Sequence, residues 1–132
     1  MSEAGGDAGG MTGKRILVVE DEMIVAMLIE DILMDAGATV VGPAARVSRA
    51  LDILQEETAL DGALLDLNLA GELTTPVAEE LRRRGIPFAF ATGYGAAGVP
   101  EAFQGQPLLQ KPFQEHDLNR VMTEVLATRA SA

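Results

Sequence analysis

The sequence predicts an α/β fold: a five-stranded parallel sheet, doubly wound, with helices on both faces. Three observations predict it. Short apolar runs alternate with stretches of helical periodicity along the chain. Two of those runs, 16–19 and 63–65, show no polar alternation, as strands covered on both faces require. Polar and charged residues then gather at the C-terminal ends of the runs, where open parallel sheets place their ligand crevice.

A chain of 132 residues, 48% of them hydrophobic, suits one domain with a core of its own. That domain is expected over 14–129. Before it, residues 1–13 (MSEAGGDAGGMTG) are Gly-rich and read as a flexible tail that buries too little apolar surface to order itself. No apolar run approaches the roughly 18 residues of a membrane span, and no signal-peptide pattern opens the chain. There is no cysteine, which excludes disulfides, thiolate metal sites and cysteine nucleophiles and favours a cytoplasmic location. The formal net charge of −10 argues against a nucleic-acid footprint, so proteins and cations are the expected partners.

The first strand, 16–19, ends abruptly in Glu20, Asp21 and Glu22. Ile24, Met27, Leu28 and Ile32 follow at helical spacing, and Gly37 suits the left-handed cap that stops the helix. A strand over 38–42 comes next, then a helix over about 47–57 carrying Val47, Ala50, Leu51 and Leu54. The central stretch, GALLDLNLAG (62–71), reads as a buried strand that delivers Asp66 to its C-terminal end, with Gly71 letting the chain turn.

Thr75–Pro76 looks like a helix start, with Thr as N-cap and Pro at the first helical position. Arg82, Arg83 and Arg84 favour the negative end of that helix, and Gly85 closes it. PFAFAT (87–92) is the fourth strand and PLLQ (107–110) a short fifth. Only 18 residues (93–110) separate Thr92 from Lys111, and they are rich in glycine with a proline inside. They predict a loop with at most one or two turns. The last helix, about 115–128, sets Leu118, Val121, Met122, Val125 and Leu126 on one core-facing stripe.

Four strand ends on one rim thus carry Glu20 with Asp21, Asp66, Thr92 and Lys111. Each has an ordinary explanation: helix-dipole complement for the first two acids, a β-branched strand residue for Thr92, a solvated charge for Lys111. Their convergence is what chance does not supply. Three carboxylates about 5 Å apart repel by roughly 3 kcal/mol per pair at an effective dielectric near 20, about 10 kcal/mol in all. Such a cluster calls for a cation. All-oxygen ligands suit a hard ion, Mg²⁺ before zinc, with Lys111 supplying further positive charge. An ionised Asp66 beside those cations is arranged to attack phosphorus, and the Thr92 hydroxyl can donate to a phosphoryl oxygen.

Together ILVVEDE, LLDLNLAG, FAFATGYG and LLQKPF resemble the receiver domain of two-component response regulators, over about residues 14–128. The resemblance implies a flavodoxin-like strand order 2-1-3-4-5 and a cis bond at Lys111–Pro112. It implies Asp66 as the phosphoacceptor, taking its phosphoryl group from a sensor histidine kinase or phosphotransfer protein and signalling to a downstream protein target. It further implies Mg²⁺ bound by Asp21, Asp66 and the Asn68 main-chain carbonyl, with Glu20 acting through water, and the phosphoryl group gripped by Thr92 and Lys111. FATGYG is similar to the FAT GUY subgroup, stand-alone receivers with a reduced or missing fourth helix, monomeric or weakly dimeric on phosphorylation.

The chain departs from the commoner receiver pattern at Leu108, where an aromatic residue usually follows the threonine inward. Tyr94 then either substitutes for it or merely packs the loop. Two rivals stand beside this reading. A haloacid-dehalogenase-type phosphohydrolase would want a second acid two residues beyond its nucleophile, where this chain has Asn68. A degenerate receiver, never phosphorylated, would act as a binding module. His116, the only histidine, reads as a solvated surface residue.

Overall fold

The computed structural model describes residues 10–131. Five strands, β1 (Arg15–Val19), β2 (Thr39–Ala44), β3 (Gly62–Asp66), β4 (Phe88–Thr92) and β5 (Leu108–Gln110), form one sheet in the order β2-β1-β3-β4-β5. Every pairing is parallel. Four helices connect or follow the strands: α1 (Met23–Asp35), α2 (Val47–Glu56), α3 (Thr75–Arg83) and α4 (Glu115–Ser131). The doubly wound sheet and its 2-1-3-4-5 order are those expected.

Alternate residues of a strand face opposite sides of the sheet, and here each side has its own core. Leu17, Val19, Ala63, Leu65, Phe88 and Phe90 pack with α2 and α3. Ile16, Val18, Leu64, Ala89 and Ala91 pack with α1 and α4. The expected α4 stripe, Leu118 to Leu126, is buried throughout.

The expected α1 stripe is not. Ile32 is buried, but Ile24 is 83% exposed, Met27 57% and Leu28 47%, and the buried face is Ala26, Ile29, Ile32 and Leu33. MIVAMLIEDILMD is apolar on nearly every side, so periodicity alone left the rotation of the helix open. In α2 the fourth core residue is Ile53, with Leu51 only half-buried. Thr75 is also not the N-cap of α3: it is the first helical residue, and Thr74 precedes the helix. The end of α1 follows the glycine logic. After α1 the Ala38 N–H reaches Leu33 O at 3.0 Å and the Gly37 N–H reaches Met34 O at 2.9 Å, with Gly37 at φ +96°, a Schellman cap.

Two features were not foreseen. Residues 68–69 and 72–73 form a small antiparallel hairpin closed by Ala70–Gly71, both at positive φ (49° and 93°), the geometry of a two-residue hairpin turn. Residues 10–13 are also not free tail. Met11 is 3% exposed within the α1/α4 core, and the Gly13 N–H donates to Gly37 O at 2.9 Å, at the sheet edge where the strands begin. Residues 1–9 of the expected tail lie outside the described residues. The same edge holds the far end of α4, where Leu126 lies over Gly62, the first residue of β3.

Between β4 and β5 the chain makes two 3-10 turns, Gly95–Gly98 and Glu101–Phe103, where a crossover helix would lie, so the short spacing was read correctly. Three rings fill the space instead. Phe103, 2% exposed, sits edge-on to Phe88 (6.1 Å between centroids) and Phe90 (5.8 Å). The Arg82 guanidinium lies 4.2 Å over the Phe103 ring and donates to Ala102 O at 3.0 Å, tying the connection to α3. Phe103 is therefore the apolar anchor of the segment, while Gln104 Nε2 ties its turns together by donating to Ala96 O at 3.1 Å and Val99 O at 2.6 Å. Replacing it by Ala is expected to cost about 3–5 kcal/mol of stability in denaturant unfolding, and replacing it by Leu clearly less.

Candidate functional site

Parallel strands end on one edge, and the register decides which ends are neighbours. Val19 pairs with Leu65, Asp66 with Ala91 and Thr92 with Gln110. Glu20 therefore emerges beside Asp66, and Lys111 beside Thr92, whose carbonyl accepts the Lys111 N–H at 2.9 Å. The structure brings Glu20, Asp21, Asp66, Asn68, Thr92 and Lys111 to this one edge. Asp66, Asn68, Gly93, Tyr94 and Lys111 share one cleft with Thr92, Leu73 and Gly98. His116 lies elsewhere, its side chain 71% exposed.

Carboxylate oxygens of Glu20, Asp21 and Asp66 all lie within 4.8 Å of one another. Lys111 Nζ donates to Glu20 Oε1 at 2.9 Å and to Asp66 Oδ2 at 3.1 Å, one ammonium spanning two acids. Glu20 is almost fully buried, and its other oxygen accepts the Glu22 N–H at 3.1 Å. Burial pushes the Glu20 carboxyl above its ordinary 4.5, against the Lys111 and Glu22 hydrogen bonds that favour its charged form, and the Asp66 charge adds to the rise. For Lys111, burial works against the charge. The Glu20 hydrogen bond and the charges of Asp66 and Glu20 outweigh it, so the ammonium stays protonated above its ordinary 10.5.

Three acids with one ammonium leave the cleft net negative. The donor set of Glu20, Asp21 and Asp66 is oxygen only, and it fits a hard divalent cation such as Mg²⁺. The Thr92 hydroxyl accepts the Tyr94 N–H at 3.1 Å, which orients its oxygen and leaves the hydroxyl proton to be given to a ligand. Gly93 lines the cleft, and a Cβ there would meet nothing within 4 Å, so the glycine relieves no clash. Tyr94 is 85% exposed at the rim, and Leu108 is half-buried against the α2/α3 core.

Sequence reasoning missed Thr74. It is fully buried, with its hydroxyl turned toward the backbone of Asp66 and Leu67. A Thr next to another Thr, ahead of a Pro, reads as a cap, and only the fold shows which of the two faces inward.

The response regulator receiver domain family matches residues 16–123. The solution structure of SdrG from Sphingomonas melonis Fr1 is 42% identical, with 89% of this chain and 98% of that one covered and a TM-score of 0.76. The BeF3-activated conformation of SdrG, from Pseudomonas melonis Fr1, is 41% identical over 87% of this chain and 98% of that one, with a TM-score of 0.74. Phyllosphere-induced regulator PhyR of Methylorubrum extorquens is 29% identical over 140 residues, and this chain spans about half (51%) of its length.

The buried, raised Glu20 fixes the sign of a pH effect. Its proton favours the folded chain fully below about 4.5 and loses that effect as pH rises through the raised value. A divalent cation needs the same group deprotonated. The gain in thermal midpoint on adding Mg²⁺ is therefore expected to be largest near neutral pH and to shrink on acidification. In Glu20→Gln that pH dependence should flatten.

Proposed function

The chain belongs to the response regulator receiver domain family, and from that premise we propose that it is a single-domain response regulator phosphorylated on Asp66. A receiver domain is a signalling phosphoacceptor rather than a conventional enzyme. The observation that carries the proposal is Lys111 Nζ held between Glu20 and Asp66 at the carboxyl edge of the sheet. The FATGYG stretch and the missing crossover helix support the FAT GUY subgroup, and coverage of nearly the whole of SdrG supports the single-domain reading.

The chemistry follows from the placement. A carboxylate oxygen of Asp66 attacks phosphorus of a phosphohistidine; a P–O bond forms, the P–N bond breaks, and the imidazole leaves with the electron pair. Lys111 neutralises charge on the transferring oxygens, and Thr92 donates its hydroxyl proton to one of them. Glu20, Asp21, Asp66 and the Asn68 carbonyl would hold Mg²⁺, which supplies further charge neutralisation when bound. Phosphorylated Asp66 brings added charge and acceptor oxygens into the cleft. Lys111 and Thr92 then follow the new oxygens, and the segment 93–106 shifts its populations.

The protein donor is proposed to be a sensor histidine kinase. Beside the cleft, Val25, Leu28, Pro112 and Phe113 line a second, largely apolar groove that ends at Lys111, flanked by the exposed Met23, Ile24 and Met27 of α1. An apolar helix face next to the phosphoacceptor is where a helical partner can bury surface while presenting its phosphohistidine. The downstream partner is proposed to be a protein.

Incubation with acetyl phosphate and Mg²⁺ followed by intact mass measurement is expected to show one phosphoryl adduct, absent in Asp66→Ala. Failure of the wild-type chain to take the adduct would leave a degenerate receiver. For the kinase surface, Ile24→Glu with Met27→Glu should lower the rate from the best kinase of a purified panel at least tenfold, relative to the acetyl phosphate rate of the same variant. Equal loss with both donors would remove the docking role.

A further inference from the structure

Thr74 occupies the N-cap position of α3 without using its side chain as a cap. An N-cap threonine ordinarily turns its hydroxyl to the open N–H groups of the first turn. This one is fully buried and turns the other way. Its Oγ1 lies 2.8 Å from Asp66 O and 3.2 Å from Leu67 O, and its N–H donates to Leu67 O at 3.0 Å. The hydroxyl has one proton, so the two carbonyls share it, with Asp66 the nearer. Asp66 is the last residue of β3, and its carbonyl takes the Thr74 hydroxyl. On the other side the Leu67 N–H is held by Ala91 O at 3.0 Å. The backbone bearing the Asp66 carboxylate is thus clamped between β4 and the start of α3. The same contact closes the neck of the 68–73 hairpin, where the Asn68 N–H faces Asp66 Oδ1 at 3.4 Å.

We infer that Thr74 is a positioning residue for phosphoryl transfer. Its hydroxyl fixes the main chain at Asp66, so that the carboxylate meets Lys111 and keeps its place beside Glu20 and Asp21. The inference rests on Asp66 being the phosphoacceptor. A misplacement of order 1 Å at a reacting group can cost about a hundredfold in rate, and a shared hydrogen bond gives up only part of that.

The test compares Thr74→Ser, which keeps the hydroxyl, with Thr74→Val, which keeps the shape. Phosphorylation by acetyl phosphate at saturating Mg²⁺ is followed by intact mass, Mg²⁺ affinity by calorimetry, and the folded fraction by circular dichroism. Expected are a serine variant within about twofold of wild type and a valine variant roughly tenfold slower, with weaker Mg²⁺ binding at full folding. A valine variant as fast as wild type overturns the inference, and so does a serine variant as slow as valine. If Thr74→Val does not fold, Thr74→Cys, a weak donor of similar size, takes its place with the same two outcomes. No adduct on the wild-type chain would strike the phosphoacceptor reading itself; adduct on wild type with an indifferent valine variant would strike this inference alone.

Discussion

One ammonium group between two carboxylates sets the terms for this molecule. Lys111 directly follows β5, Glu20 directly follows β1 and Asp66 ends β3, so their contact exists only when β1, β3, β4 and β5 are assembled in register. Glu20 gives up almost all its exposure to water for this contact, and its raised pKa records that the compensation is incomplete. The cleft therefore stays short of positive charge. That deficit is what suits the oxygen-only cluster to a hard cation.

The rest of the architecture divides between parts that hold the site and parts that can yield. Thr74, the Leu67 N–H and the β-ladder hold Asp66 from beneath. On the other side of the cleft the chain from 93 to 106 has two 3-10 turns, one aromatic anchor in Phe103 and few backbone bonds. Large rings on one face of β4 and alanines on the other follow from this. Beside α3, where the crossover helix between β4 and β5 is replaced by 3-10 turns, phenylalanines supply the bulk; on the α4 face the residues are alanines.

Much of this was legible in the residues. Uninterrupted apolar runs located β1 and β3, and the i, i+3, i+4 pattern located α4, because each has one burial solution. The four strand ends were legible for the same reason: a parallel sheet has only one carboxyl edge. Where the sequence allowed several solutions, reading it fell short. α1 is apolar all round, so its stripe was assigned to Ile24, Met27 and Leu28, which face outward. Thr74 and Thr75 are chemically alike, and long-range contact with Asp66, not local pattern, distinguishes them. Met11 lies in a glycine-rich stretch and is buried only because α1 and α4 leave room for it.

Met11 fastens the start of the described chain at the edge of the sheet where strands begin, and α4 runs back to that same edge. Both ends thus leave from the pole remote from the acids. A fluorescent protein or an affinity handle added beyond either end of the described chain would start from the pole opposite Glu20, Asp21 and Asp66. Optical or surface-capture assays can therefore be built on the intact chain without crowding the site they are meant to watch.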